Sequence, residues 1–134
     1  MSAVQALAGS IIATVAVFWA AVTTLSITSE FPPLASPGPT IFFTAVGALG
    51  AIVVFAILRR FTERPEYLFR WIAVAVLLVS FVPDLWLLST DAFPGTSATA
   101  VAVLMVMHVV AAAVIVWFLT VGSSLKRDRS EPQQ

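Results

Sequence analysis

Long apolar stretches alternate with short polar or proline-rich segments along this chain. Four stretches, at about residues 3–27, 40–58, 67–88 and 98–121, contain few or no charged side chains. They lack the two-residue alternation of a half-buried strand, and each is close to the roughly 20 residues that a helix needs to cross a hydrocarbon core. Because every backbone polar group in lipid must be satisfied within its segment, the pattern predicts an all-α bundle of four transmembrane helices.

The segments between these stretches carry turn signals. Residues 30–39 contain four prolines and a glycine, residues 59–65 form a charged turn, and residues 90–97 form a second loop with proline and glycine. Proline removes a backbone donor and clashes with the preceding helical turn, so none of these segments is expected to continue a helix through its length. Ser97 is placed to cap the fourth helix, since a serine oxygen can accept from a free N–H of the first turn.

Composition supports the bilayer as solvent. Hydrophobic residues make up 60% of the chain and charged residues 10%, with a mean hydropathy of +1.01. A soluble domain of this size cannot bury so much apolar surface. The chain has no cysteine and one histidine, which excludes disulfides, thiolate chemistry, cysteine-ligated zinc and haem held by two histidines of one chain. We expect no metal or cofactor, and the lack of a basic tract with interleaved aromatics argues against nucleic acid as a partner.

The charges predict the orientation. Seven basic residues balance seven acidic ones, but all the basic residues lie in two segments. One group flanks the turn between the second and third stretches, and the other lies near the C-terminus: Arg59, Arg60, Arg64 and Arg70, then Lys126, Arg127 and Arg129. The positive-inside rule places both groups in the cytoplasm, as an even number of spans requires of the termini. We therefore expect a multi-pass protein of the plasma membrane, in a prokaryote the inner membrane. Residues 1–122 form its single membrane domain and residues 123–134 a polar cytoplasmic tail.

Small residues at four-residue spacing indicate how the helices could approach each other. Gly9 and Ala13 share such a face in the first helix, and Gly47 and Ala51 share one in the second, with Gly50 beside them. Small side chains let helix backbones come close in lipid, where packing rather than the hydrophobic effect drives association. The spacing leaves open whether these faces pack within the chain or against a membrane-protein partner or a second copy.

Asp84 and His108 are the candidate residues for a functional polar site inside the membrane. Ionisable groups inside membrane spans are costly and are therefore candidates for function. Asp84 follows Pro83, which leaves the Val79 carbonyl without its helical donor, and Ser80 could supply a replacement. His108 lies ten residues after Ala98, about 15 Å along its helix and near the midplane. Side chains lean toward the N-terminus of their helix, so Asp84 and His108 lean toward each other in neighbouring antiparallel helices.

Two interpretations of this pair stay open. In the structural interpretation, Asp84 faces the headgroups or caps a kink, and His108 forms a hydrogen bond to a carbonyl of a neighbouring helix. In the functional one, the two side chains share a polar pocket that binds a proton or a ligand. The sequence favours the structural interpretation slightly.

The motifs Val82–Asp84 and Met107–Ala112 resemble those of a family of small four-helix membrane proteins from actinobacteria and their relatives, whose domain has no assigned function. The resemblance extends over about residues 15–121. It implies the four-helix fold and no particular activity.

The sequence thus predicts a membrane protein without catalytic machinery. The favoured function is a structural or accessory membrane subunit that acts through helix contacts. The alternative is a small transporter or proton-linked permease that uses Asp84 and His108. An enzyme ranks third, because no nucleophile, metal site or cofactor motif is visible, although the pair could support acid–base chemistry on a lipid or quinone.

Overall fold

A computed structural model describes residues 2–128 of the protein, and the side chains of residues 3–121. Within that part the chain forms four α-helices, α1 (Ser2–Thr24), α2 (Pro37–Phe61), α3 (Pro65–Thr90) and α4 (Ala98–Asp128), and one 3₁₀ turn at Pro32–Leu34. Each α-helix contains a segment long and apolar enough to cross a membrane. The predicted all-α fold with four candidate spans is therefore confirmed.

The helix bounds differ from the predicted stretches where local chemistry overrides hydropathy. α1 ends at Thr24. The apolar residues that follow belong to a loop, and Ile27 of this loop packs against the core. α2 and α3 begin earlier than expected, at Pro37 and Pro65. A proline in the first turn loses only an N–H that has no intrahelical partner. α4 continues to Asp128, so residues 123–128 of the predicted tail are helical, while the rest of that tail lies outside the described residues.

The four helices share their contacts unequally. α4 packs most extensively against α1 and also contacts α3 and α2. α1 packs against α2, and α2 has a smaller contact with α3. α3 is covered least: its buried residues are Pro65, Phe69 and Asp84. Most of the α3 surface is thus left to the surroundings of the chain.

Two apolar clusters fill the interior, one toward each end of the bundle. The cluster beneath the Pro32–Leu34 turn, here called the loop-end cluster, is built by α1, that turn and α4: Phe18, Ala21, Phe31, Leu34, Ala100, Val103 and Met107. The cluster toward the α2–α3 turn, the turn-end cluster, draws on all four helices: Ala6, Ala48, Phe55, Phe69, Ile115 and Leu119. These clusters provide the packing contacts on which helix association in lipid depends.

The small-residue faces are used selectively. A Cβ atom added to Gly9 would lie 2.7 Å from the Phe118 ring, so α1 and α4 approach closely at this glycine. Ala51 packs on the turn-end cluster. Gly47 and Gly50 face away from the bundle, with nothing within 4 Å of an added Cβ. The interpretation in which these two glycines pack inside the chain is therefore wrong, and the buried residue between them is Ala48.

Candidate functional site

A layer of polar side chains separates the two apolar clusters. On α1, Ser10 and Thr14 lie between the turn-end residue Ala6 and the loop-end residue Phe18, and both are buried. On α3 and α4, Asp84 and His108 occupy the corresponding interval. These four side chains therefore lie at one intermediate level of the span, which we call the polar layer, while the buried Thr40 and Thr120 lie nearer the helix ends.

Asp84 and His108 meet directly across the α3–α4 interface. The Nδ1 atom of His108 lies 3.1 Å from the Oδ2 atom of Asp84. Both atoms are buried, and neither has a hydrogen bond of good direction to any other side-chain or backbone group in the described chain. The contact is therefore a close but poorly aligned electrostatic one. The structure brings the two candidate residues together without an intervening group.

The two partners differ in exposure. The Asp84 side chain is 6% exposed, whereas that of His108 is 41% exposed. Since Nδ1 is buried, the exposed surface belongs to the remainder of the imidazole, on the side that carries Nε2. One edge of the imidazole thus contacts the buried carboxylate of Asp84, and the opposite edge is exposed. Such an edge can donate or accept a hydrogen bond, depending on its protonation.

The Ser80 hydroxyl does not supply the hydrogen bond that Pro83 removes from α3. Pro83 lies inside the continuous helix α3. The Ser80 hydroxyl donates to the Leu77 carbonyl at 2.6 Å, not to that of Val79. A helical serine reaches back toward the preceding turn, while the Val79 carbonyl points forward along the helix. The prediction that the Ser80 hydroxyl donates to the Val79 carbonyl is therefore wrong.

Two further groups contact the imidazole and were not among the candidates. The Phe81 ring meets that of His108 edge to face, with centroids 6.4 Å apart. The Leu104 carbonyl, one turn earlier on α4, also interacts with the imidazole. Phe81 lies three residues before Asp84 on the same helical face, and this spacing could have predicted that its ring contacts His108. In the part of the chain that the structure describes, no three His, Asp or Glu side chains gather as a metal site would require.

A second interhelical polar contact lies in the same layer. The Thr14 and Thr44 hydroxyl oxygens are 3.2 Å apart and join α1 to α2. Thr14 can also donate to the Ser10 carbonyl, 2.9 Å away. Thr44 gave no sequence signal, because threonine is tolerated on any face of a membrane helix.

Comparison with known proteins gives a family but no activity. No curated protein and no solved structure shows significant similarity to the chain. The model of a family of unknown function, DUF6069, matches residues 1–124, a region that contains all the spans described above. The chain therefore belongs to the DUF6069 family of unknown function.

Proposed function

We propose that this protein is an accessory subunit of a prokaryotic inner membrane, which binds another membrane protein through helix contacts and has no catalytic role. The imidazole of His108 supports the proposal, because it contacts Asp84 of α3 at 3.1 Å and its side chain is still 41% exposed. Hydrocarbon offers no hydrogen bonds to such a group, and polar groups in lipid are costly unless a protein group or water satisfies them.

The depth of His108 makes this cost relevant. The residue lies ten positions after the start of α4 at Ala98, which corresponds to about 15 Å in a core roughly 30 Å thick. Snorkelling from this depth is beyond the reach of an imidazole. The open ring edge is therefore expected to meet a polar side chain of a partner helix at the same level. Asp84 contributes by holding the ring from behind, as carboxylates do for functional histidines elsewhere.

The orientation is part of the proposal. The arginines near the α2–α3 turn support a cytoplasmic location for that turn and for both termini. Aromatic residues near the helix ends, Trp19, Trp71, Trp86 and Trp117, are more than half exposed, as expected for interfacial belts. Cysteines introduced at Ser36 and Gly95 should react with an impermeant thiol reagent on intact cells, and one at Thr62 should not. External labelling at Thr62 alone would reverse the orientation.

Site-specific photo-crosslinking in native membranes tests the partner. A photoreactive residue at the exposed Val109, next to His108, should yield one protein adduct of defined mass. The adduct should weaken in a His108→Phe variant, which keeps a ring but removes both nitrogens. The control position is Ile12, exposed on α1, which should capture lipid only.

The possible outcomes separate the candidate partners. An adduct of twice the chain mass would identify a second copy in place of an unrelated subunit. Adducts to lipid alone at both positions, or a protein adduct insensitive to His108→Phe, would contradict the proposal.

The direct Asp84–His108 contact favours a second candidate, a proton-linked permease. A carboxylate and an imidazole at 3.1 Å can exchange a proton, and the open ring edge gives that proton a way to leave. In liposomes, proton uptake driven by a potassium diffusion potential should then exceed that of empty vesicles. Asp84→Asn and His108→Gln should abolish the excess, while Thr14→Val should not. Uptake equal to that of empty vesicles would exclude a proton conductance of the pair.

A further inference from the structure

The exposed side of α3 carries a backbone carbonyl that lacks its regular helical donor. Pro83 lies inside the helix and has no backbone N–H, so the carbonyl of Val79, four residues earlier, loses that hydrogen bond. In membrane helices such a carbonyl is satisfied by a serine or threonine side chain, by water or by a neighbouring helix. The surroundings of Val79 distinguish among these three donors.

The hydroxyl groups of α3 are bonded elsewhere. Ser80 donates to the Leu77 carbonyl at 2.6 Å. The other serine and threonine of this helix, Ser89 and Thr90, each donate to a carbonyl in its last turn, at 2.9 and 2.8 Å. Within α3, all of which the structure describes, no such side chain therefore donates to the Val79 carbonyl.

The position of Val79 along α3 places its carbonyl deep in the membrane. Val79 is the fifteenth of the 26 residues of the helix, which is about 2 Å past its midpoint. A hydrocarbon core about 30 Å thick is therefore centred close to this residue. Such a core holds no water, and acyl chains have no hydrogen-bond donor.

The described helices also leave this side of α3 uncovered. Val79, Val82 and Trp86 are each more than half exposed, and Ala75 and Pro83 are exposed as well. Positions three and four apart are neighbours on a helix, so these five residues form one continuous surface, here called the α3 outer face. Its alanine and valines are small enough to let another helix approach the backbone.

We propose that the partner subunit lies on the α3 outer face and that one of its transmembrane helices donates a hydrogen bond to the Val79 carbonyl. The donor is a serine, threonine, asparagine or glutamine side chain, since these carry an O–H or N–H without bringing a charge into the membrane. This inference rests on the accessory role proposed above, and it adds the surface and the chemistry of the partner.

Infrared spectroscopy of an isotopically labelled Val79 carbonyl, in lipid nanodiscs, tests whether this group is free. The amide I frequency of a carbonyl falls when the carbonyl accepts a hydrogen bond. The isolated wild type should show a higher frequency than Pro83→Ala, in which the restored N–H donates to Val79. Equal frequencies would overturn the proposal, because the carbonyl would already have a donor of comparable strength within the chain.

Photo-crosslinking from Val82 in native membranes tests the partner. A photoreactive residue there should capture another membrane protein, and sequencing of the linked peptide should show an apolar span with one of the four donor side chains. Pro83→Ala should reduce the adduct about threefold, the value of one interhelical hydrogen bond in a membrane, because the restored N–H competes for the carbonyl.

Leu88→Ala is the matched control. Leu88 is exposed and lies nine residues, or about two and a half turns, beyond Val79, which places it on the opposite side of α3. This substitution should leave the adduct from Val82 unchanged. Circular dichroism of both alanine variants should match the wild type, which separates a lost contact from a lost fold.

This surface and the accessory role fail in different ways. A protein adduct from Val109 with lipid alone from Val82 would overturn the α3 outer face and leave the accessory role standing, whereas lipid alone from both positions would overturn both. An adduct from Val82 to a second copy of this chain, or to a span without a donor side chain, would overturn the chemistry proposed for the partner. An adduct insensitive to Pro83→Ala would overturn the hydrogen bond to Val79.

Discussion

A polar contact joins the two helices of each hairpin, α1–α2 and α3–α4, in the polar layer, and the two contacts differ in kind. Thr14 and Thr44 join the first hairpin with two neutral hydroxyls 3.2 Å apart. Asp84 and His108 join the second with two ionisable groups 3.1 Å apart. The two distances are similar, but an ionisable group without a partner in lipid costs far more free energy than a hydroxyl without one.

The difference lies in what remains when a partner is lost. Thr14 still has the carbonyls of Ser10 and Ile11 within reach of its hydroxyl, at 2.9 and 3.1 Å. Asp84 Oδ2 and His108 Nδ1 have no well-directed alternative among the described residues. A neutral pair can thus break at little cost, whereas the ionisable pair is sensitive to the loss of either member. This sensitivity marks the α3–α4 hairpin as the region where function is to be sought.

The largest effect is expected where the two hairpins are joined, at Gly9. A leucine there must displace Phe118, because even an added Cβ would lie 2.7 Å from its ring. Gly9→Leu should lower the free energy of unfolding by about 3 kcal/mol, as overpacking at a tight contact does. Reversible unfolding in mixed micelles, followed by circular dichroism, measures this change.

Gly47→Leu is the matched control for that substitution. Its site is exposed, with open space around an added Cβ, so the unfolding free energy of the single chain should stay within about 0.5 kcal/mol of the wild type. Equal destabilisation by both leucines would show that α1 and α4 are not the closely packed pair.

A smaller loss is expected when the ionisable pair is broken. His108→Leu leaves the Asp84 carboxyl buried without a partner, which should reduce the free energy of unfolding by about 2 kcal/mol. Replacing both residues with leucine should recover most of that loss, since two apolar groups leave no uncompensated charge. A double variant as unstable as the sum of the single variants would mean that the contact contributes no coupling.

The smallest effect is expected at the neutral pair. Thr14→Val keeps the shape of the side chain and removes its hydroxyl. Hydrogen bonds between membrane helices average about 0.6 kcal/mol, and the lost stability should be of that size. A loss as large as that of His108→Leu, measured in the same micelles, would remove the distinction between the two hairpins.

Hydropathy and proline spacing predicted the number of helices and three of their loops, because backbone satisfaction in lipid leaves few choices. The lean of side chains along antiparallel helices indicated that Asp84 and His108 approach each other in depth, but it left open whether the two side chains touch. The outward direction of Gly47 was not predictable, because it depends on how far α2 rotates about its axis, and nearly uniform apolarity around α2 gives no signal for that rotation. The Ser80–Leu77 hydrogen bond, in contrast, lies within α3 and follows from the backward reach of a helical serine.

Titration of His108 in lipid nanodiscs, followed by NMR of its ring, shows whether Asp84 acts on the imidazole through the contact at 3.1 Å. The Thr14–Thr44 pair is expected to have no effect on that titration. Asp84→Asn should shift the titration curve of His108, because the carboxylate in contact with the imidazole is replaced by a neutral amide. Thr14→Val should leave the titration unchanged. The same titration curve in the wild type and in Asp84→Asn would contradict the account.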